Sequence, residues 1–511
     1  MTVKIILLIA FFSSMVAVGI YSRKSTVSVD GFVLGGRSVG PWLTAFAYGT
    51  SYFSAVVFVG YAGQFGWKYG LASTWIGIGN AVIGSLLAWV VLGRRTRVMS
   101  QHLESRTMPD FFGHRYDSKA LKIVASAIAF IFLVPYTASV YNGLSRLFGM
   151  AFDIPYSACV IAMAIFTAVY VILGGYMATA INDFIQGIIM LAGIIAVIAA
   201  VLNGKGGFLE AVRQLAEIES DVAITAGQPG AFASFFGPDP VNLLGVVVLT
   251  SLGTWGLPQM IQKFYAIKDE KAINTGTVIS TLFAVVVSGG CYFLGGFGRL
   301  FDHESLHNPE TGAMIYDGII PYMLSTLPDI LIGVVIVLVL SASMSTLSSL
   351  VLTSSSTLTL DFLKDNVIKK MDEKKQVLTM QILIVFFIVV SVLIALDPPT
   401  FIAQLMGISW GALAGAFLAP FLYGLYWKGV TKAAVWASFA TGVGITVINM
   451  ICPFISSPIN AGAVAMVAGL IVVPVVSLIT PKMDKKKVDD MFVCYDETVV
   501  IKKKHSLEAH K

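Results

Sequence analysis

Thirteen apolar runs, each about 20 residues long and separated from the next by a narrow charged island, constrain this chain more than any other feature. About 20 predominantly apolar residues are what a helix needs to cross the ~30 Å hydrocarbon core of a bilayer. The runs cover roughly 3–22, 41–66, 69–93, 119–149, 156–174, 176–202, 241–262, 274–298, 318–350, 377–396, 401–426, 432–451 and 460–480. The run at 318–350 is long enough for tilt or a break. Of 511 residues, 12% are charged, half the ~25% usual in soluble domains. The fold class is therefore an all-α polytopic membrane protein with about 13 transmembrane helices. One integral membrane domain spans 1–480, and a basic tail follows over 481–511.

Orientation follows from lysine and arginine, which gather on cytoplasmic loops. With the N-terminus outside, the clusters Arg94–Arg115, Lys263–Lys271, Lys364–Lys375 and the Lys-rich tail all fall inside, and that side holds 28 of the 34 basic residues in all. This predicts a plasma-membrane protein with its C-terminus in the cytoplasm. The first run is followed by Arg23 and Lys24 and lacks a small-residue cleavage pattern, so it reads as a retained helix rather than a leader. Four scattered cysteines show no disulfide framework and no metal spacing. In the outer loop at 203–240, Phe208, Val212, Leu215 and Ile218 mark an amphipathic helix. The tail from Lys482 reads as charged and mostly disordered; the lipid bilayer is the one large partner implied, and nothing points to nucleic acid.

Polar groups inside a membrane are costly, so they mark places to look for function. The stretch YGTSYFSAVVFVG (48–60) puts Gly49, Thr50, Ser51, Tyr52 and Ser54 into a span. The sixth run carries Asp183 and Gln186. In VVVLTSLGTWGLPQMIQKF, Gly253, Gly256 and Pro258 interrupt the helix. The ninth run is hydroxyl-rich, with Ser341, Ser343, Ser345, Thr346, Ser348 and Ser349. Small residues also serve close helix packing, and a Gly-Pro pair is often only a kink. The two interrupted helices, however, fall five spans apart. Many secondary transporters consist of two inverted repeats, each with a discontinuous helix near the bilayer midplane. Unwound backbone is tolerable at that depth only where it lines a cavity or binds something. Runs two to six (about 41–202) and seven to eleven (about 241–426) read as such repeats, with the free carbonyls of 48–60 offered to a cation.

These residues bring the chain to a known family. Through FVLGGRSVGPWLTAFAYGTSYFS, ILGGYMATAINDFIQ, WGLPQMIQKF and ASMSTLSSLVLTSSSTLTLDF it resembles the sodium/solute symporters over about residues 3–480, nearest by motif to the sodium/proline type. The resemblance implies a LeuT-like core of two inverted five-helix repeats and a sodium-coupled symporter that imports a small organic solute by alternating access. The solute would be an organic acid, amino acid or related metabolite, and a monomer suffices for transport. It implies a first sodium site at Thr50, Phe53, Ala342, Ser345 and Thr346; the last three share one helix face at i, i+3, i+4. A second sodium site, present in some members, maps to Asp183, Ser345, Ser348 and Ser349. The solute site would draw on Tyr52, Ser54, Tyr136, Tyr141, Thr254, Trp255, Gln259, Gln404 and Trp410. One position departs from the family's proline transporters, which carry an aspartate where this chain has Tyr52. Lys68 and Arg146, two of the few outer cations, would draw in an anionic solute, or simply snorkel to the interface.

Other function classes find less support. The chain holds no GxxxxGK[ST] phosphate loop and no filter motif of a channel, and all six histidines lie in loops or the tail rather than in catalytic clusters at bilayer depth. No enzyme activity and no cofactor are expected, only Na+ as coupling ion. A proton-coupled transporter of the same fold and a sensor on a transporter-like core are the alternative readings.

Overall fold

The computed structural model describes residues 2–152, 155–368, 371–397 and 402–496. It is all-helical, with no strand among the described residues. Eleven described helices are long and apolar enough to cross a membrane. The helix Tyr156–Gly204 has 49 residues, about 74 Å at 1.5 Å per residue, more than two bilayer cores. It is not one rod. At Gly175 the backbone leaves helical geometry with φ +53° and ψ −146°, close to a region that only glycine enters freely. The apolar stretch Val56–His102 is divided likewise at Gly70, φ +59°. Two interrupted stretches among eleven accommodate the thirteen runs of the sequence.

Both interrupted helices break where their sequences weaken them. The first runs Pro41–Tyr52. Phe53 is extended (φ −94°, ψ 94°), and helix resumes as a π-helical turn, Val56–Tyr61, that leads into Ala62–Tyr69. Ser and Thr favour breaks because their hydroxyls compete for the backbone, and π turns occur frequently at functional sites. The second runs Pro240–Gly253 and resumes at Pro258–Ala266. Pro258 cannot continue a helix from behind it, and it forces Leu257 into an extended conformation, observed at φ −87°, ψ 122°. The long ninth run is broken as well: Tyr316–Ser325 ends before Pro328, and a new helix runs Asp329–Thr357. This serine-rich helix packs against Tyr156–Gly204 and against the first broken helix, and it forms the central wall of the molecule.

The outer amphipathic helix forms at Phe208–Glu217 with Ala211 and Leu215 buried. Two expectations are corrected. The tail is not disordered through 485–496: Asp484 caps a helix Lys485–Phe492, Lys428 Nζ lies 2.6 Å from Asp489, and the Arg95 guanidinium stacks on the Tyr495 ring at 4.4 Å. Residues 497–511 lie outside the described residues. Lys263, grouped by sequence with Lys268 and Lys271 as a loop cation, is instead 1% exposed within the second broken helix. Its helix runs on to Ala266, past the end of the apolar run at 262, and the ammonium turns into the protein rather than toward water.

Candidate ion and solute site

The first break docks on the serine-rich helix through oxygen atoms. Ser345 Oγ donates to the Thr50 carbonyl at 3.1 Å and to the Ala342 carbonyl at 3.0 Å. Thr346 Oγ1 reaches the same two carbonyls at 3.2 and 3.1 Å. Each of the two hydroxyls thus lies within hydrogen-bond distance of both carbonyls, and every one of these residues is buried. Phe53, whose N–H also reaches the Thr50 carbonyl at 3.2 Å, is the fifth residue at this break. Ala342, Ser345 and Thr346 meet the break because they share one helix face. Such a cluster of neutral hard oxygens, closed off from water, suits a desolvated cation that prefers oxygen ligands.

The second group of residues is arranged differently. Asp183 lies on the helix beyond Gly175 and is fully buried, not interfacial. Lys263 Nζ approaches its Oδ2 at 3.9 Å and donates to Ser349 Oγ at 3.0 Å. Ser349 Oγ is 2.9 Å from Ser51 Oγ of the first broken helix, and the Tyr176 ring faces the ammonium at 5.1 Å. Ser348 Oγ turns away to the Ser345 carbonyl at 2.9 Å. Tyr176 was not singled out by sequence, and Ser51 and Lys263 were noted there only as a polar group of the first break and a cytoplasmic cation. One signal was available for Lys263: it follows Gln259 by four residues and so shares its helix face, in a segment otherwise apolar at that end.

The solute candidates divide into three groups. Tyr136 and Trp410, both buried, meet edge to face at 5.9 Å, and Trp410 packs on Gly253, where a Cβ would come within 2.5 Å of its ring. Gln259, one turn beyond the second break, is fully buried, and neither amide atom has a hydrogen-bond partner among the described residues. These three flank the second break. A second group spends its polar atoms on packing. Thr254 Oγ1 donates to the Gly84 carbonyl at 3.1 Å, Trp255 Nε1 to the Ile83 carbonyl at 2.9 Å, and Ser54 Oγ accepts from Val56 N at 3.2 Å, capping the resumed helix. Gln404 belongs to the third, lining an apolar groove of about 780 Å³ with Phe130, Pro135 and Asn449. Tyr141 is buried. The side chains of Tyr52 and Arg146 lie outside the described residues. Lys68 lies over the Tyr316 ring at 5.3 Å.

A family model described as the sodium:solute symporter family matches residues 32–442. Sodium/proline symporters of Staphylococcus aureus, those of strains JH9 and JH1 among them, are 30% identical over 498 residues, covering 94% of this chain and 93% of theirs. A solved Na+-coupled sialic acid symporter, substrate-bound and outward-open, superimposes with a TM-score of 0.73 at 14% identity, covering 94% of this chain and 99% of the other. That likeness establishes the fold: a membrane bundle of two repeats with broken first helices.

Proposed function

The chain belongs to the sodium:solute symporter family, and on that premise we propose where and how it performs sodium-coupled symport of a small solute. As a transporter it makes and breaks no bond. Sodium binds at Thr50, Phe53, Ala342, Ser345 and Thr346, between the first broken helix and the serine-rich helix. The observation that carries this is the approach of the Ser345 and Thr346 hydroxyls to the Thr50 carbonyl at 3.1 and 3.2 Å, with the Ala342 carbonyl of their own helix at 3.0 and 3.1 Å from the same two hydroxyls. A hard cation held about 2.4 Å from each oxygen would space neighbouring ligands about 3.4 Å apart at right angles, a small expansion of what is found. The hydroxyls then rotate their protons outward and present lone pairs.

Because the ligands come from a mobile break and a fixed helix, bound sodium favours the conformation in which both are engaged. An ion shifts a conformational equilibrium only by its differential affinity for the states; here the state that forms the oxygen cluster is the one stabilised, and it holds the second break in its solute-binding geometry. The repeats about 41–202 and 241–426 then rock around the breaks to give alternating access. The solute is a small organic acid, amino acid or related metabolite, held by Gln259, Tyr136 and Trp410 at the second break. The relatives named sodium/proline symporters favour an amino-acid-sized solute. Tyr52, in place of the aspartate expected of the proline type, argues against copying proline itself. We place the protein in the plasma membrane, N-terminus outside, working as a monomer.

The test is Ser345→Ala combined with Thr346→Ala. Each hydroxyl that faces a charge contributes about 1.5–3 kcal/mol, and each 1.4 kcal/mol is about tenfold in an equilibrium constant. The sodium concentration for half-maximal uptake should therefore rise by at least about tenfold. Wild-type sodium dependence in the double variant would refute the site.

A further inference from the structure

We infer that the ammonium of Lys263 is the resident cation of the place where some family members bind a second sodium, so that this chain carries one sodium ion per cycle. The inference rests on the first-site reading above and extends it to ion stoichiometry.

Position comes first. Lys263 and Asp183 are 1% and 0% exposed, and among the described residues Lys263 is the cation within ion-pair distance of Asp183. The ammonium is enclosed on several sides: Ser349 Oγ at 3.0 Å, the Asp183 carboxylate at 3.9 Å, the Tyr176 ring at 5.1 Å. Carboxylate, hydroxyl and aromatic face are the three kinds of group that stabilise a desolvated ammonium. They are also, ring aside, the groups that the resemblance assigns to a second sodium: Asp183 and Ser349.

Charge decides between the two occupants. A buried charge without a partner is among the costliest things a fold can contain, and each of these residues needs the other. Asp183 accepts no hydrogen bond from the described residues, so its neutralisation rests on the ammonium. Adding a sodium ion beside it would place two cations against one carboxylate at a site where both Lys263 and Asp183 are buried. The site has one counter-charge, and a covalently attached cation holds it.

Attachment changes what the cation does. Sodium enters from one side, leaves on the other and draws on its gradient. Lys263 belongs to the resumed half of the second broken helix, and through Ser349 it touches Ser51 of the first. It links both broken helices to the scaffold and moves with its own helix, but it is never released and couples nothing to a gradient. One ion then drives each solute.

Equilibrium binding of ²²Na⁺ to purified protein in nanodiscs tests this without the solute. Wild type should bind one ion per chain, and Ser345→Ala with Thr346→Ala should lose it. Lys263→Met leaves Asp183 unpaired and should raise the count to two; adding Asp183→Asn should return it to one. Two ions on wild type, or one on a monodisperse Lys263→Met, would overturn the inference alone. No ion on wild type would overturn the first-site reading and this inference with it. If Lys263→Met does not fold, the wild-type count decides: one supports, two refutes.

Discussion

A buried amide without a partner costs about 1–3 kcal/mol, and among the described residues neither amide atom of the buried Gln259 finds one. Leucine at this position would fill similar space without the cost. If Gln259 served packing alone, Gln259→Leu would leave the protein as stable or more so and leave transport untouched. As a solute ligand it predicts a divided outcome: thermal stability unchanged or raised, and the solute concentration for half-maximal uptake raised about tenfold, with sodium dependence as in wild type. An unchanged half-saturation would remove Gln259 from the site. The neighbouring Thr254 and Trp255, equally polar in sequence, are accounted for by their bonds to the 83–84 carbonyls. Sequence could not separate these cases, since which way a threonine or tryptophan points depends on a helix some 170 residues away. Ala342, Ser345 and Thr346 came from the family resemblance, and their i, i+3, i+4 spacing puts them on one helix face. Lys263 was not legible: a lysine three residues from a span's end has the same sequence signature whether it meets water or Asp183, and the aspartate is 80 residues earlier.

Helix breaks were the most legible elements, because they are written in short-range chemistry. Gly253 to Pro258 stops and restarts a helix by backbone rules that need no tertiary context. The π-helical restart at Val56–Tyr61 had no such signal. Nor did the folding of 485–496, where Lys and Asp pair with Asp117 and Lys428 and aromatic residues stack on Arg95 and Arg115, contacts between segments remote in sequence. The turn at Gly175 is equally a long-range matter, yet it has a local consequence that can be measured. Its φ of +53° with ψ −146° is strained for any residue bearing a Cβ, and that Cβ would lie 2.9 Å from the Phe32 carbonyl and ring. Gly175→Ala should cost about 1–3 kcal/mol, read as a lower melting temperature and a lower yield of monodisperse protein. A variant as stable as wild type would show that the turn relaxes without strain.

At the scale of the molecule, thirteen apolar runs and the spacing of two breaks sufficed for the architecture, because a bilayer permits so few backbone solutions. The solute is the part that sequence leaves open: the side chains proposed to hold it, Gln259, Tyr136 and Trp410, come from segments far apart in the chain. The central claim is that downhill sodium movement drives uphill movement of a small solute through this bundle. Proteoliposomes containing the purified protein, given labelled amino acids, monocarboxylates, sialic acid, pantothenate and hexoses under an inward sodium gradient, test it directly. The account predicts that one of these solutes accumulates above its outside concentration with sodium and not with potassium, and that collapsing the sodium gradient abolishes the accumulation. Equal accumulation in potassium, or under a proton gradient without sodium, would contradict it.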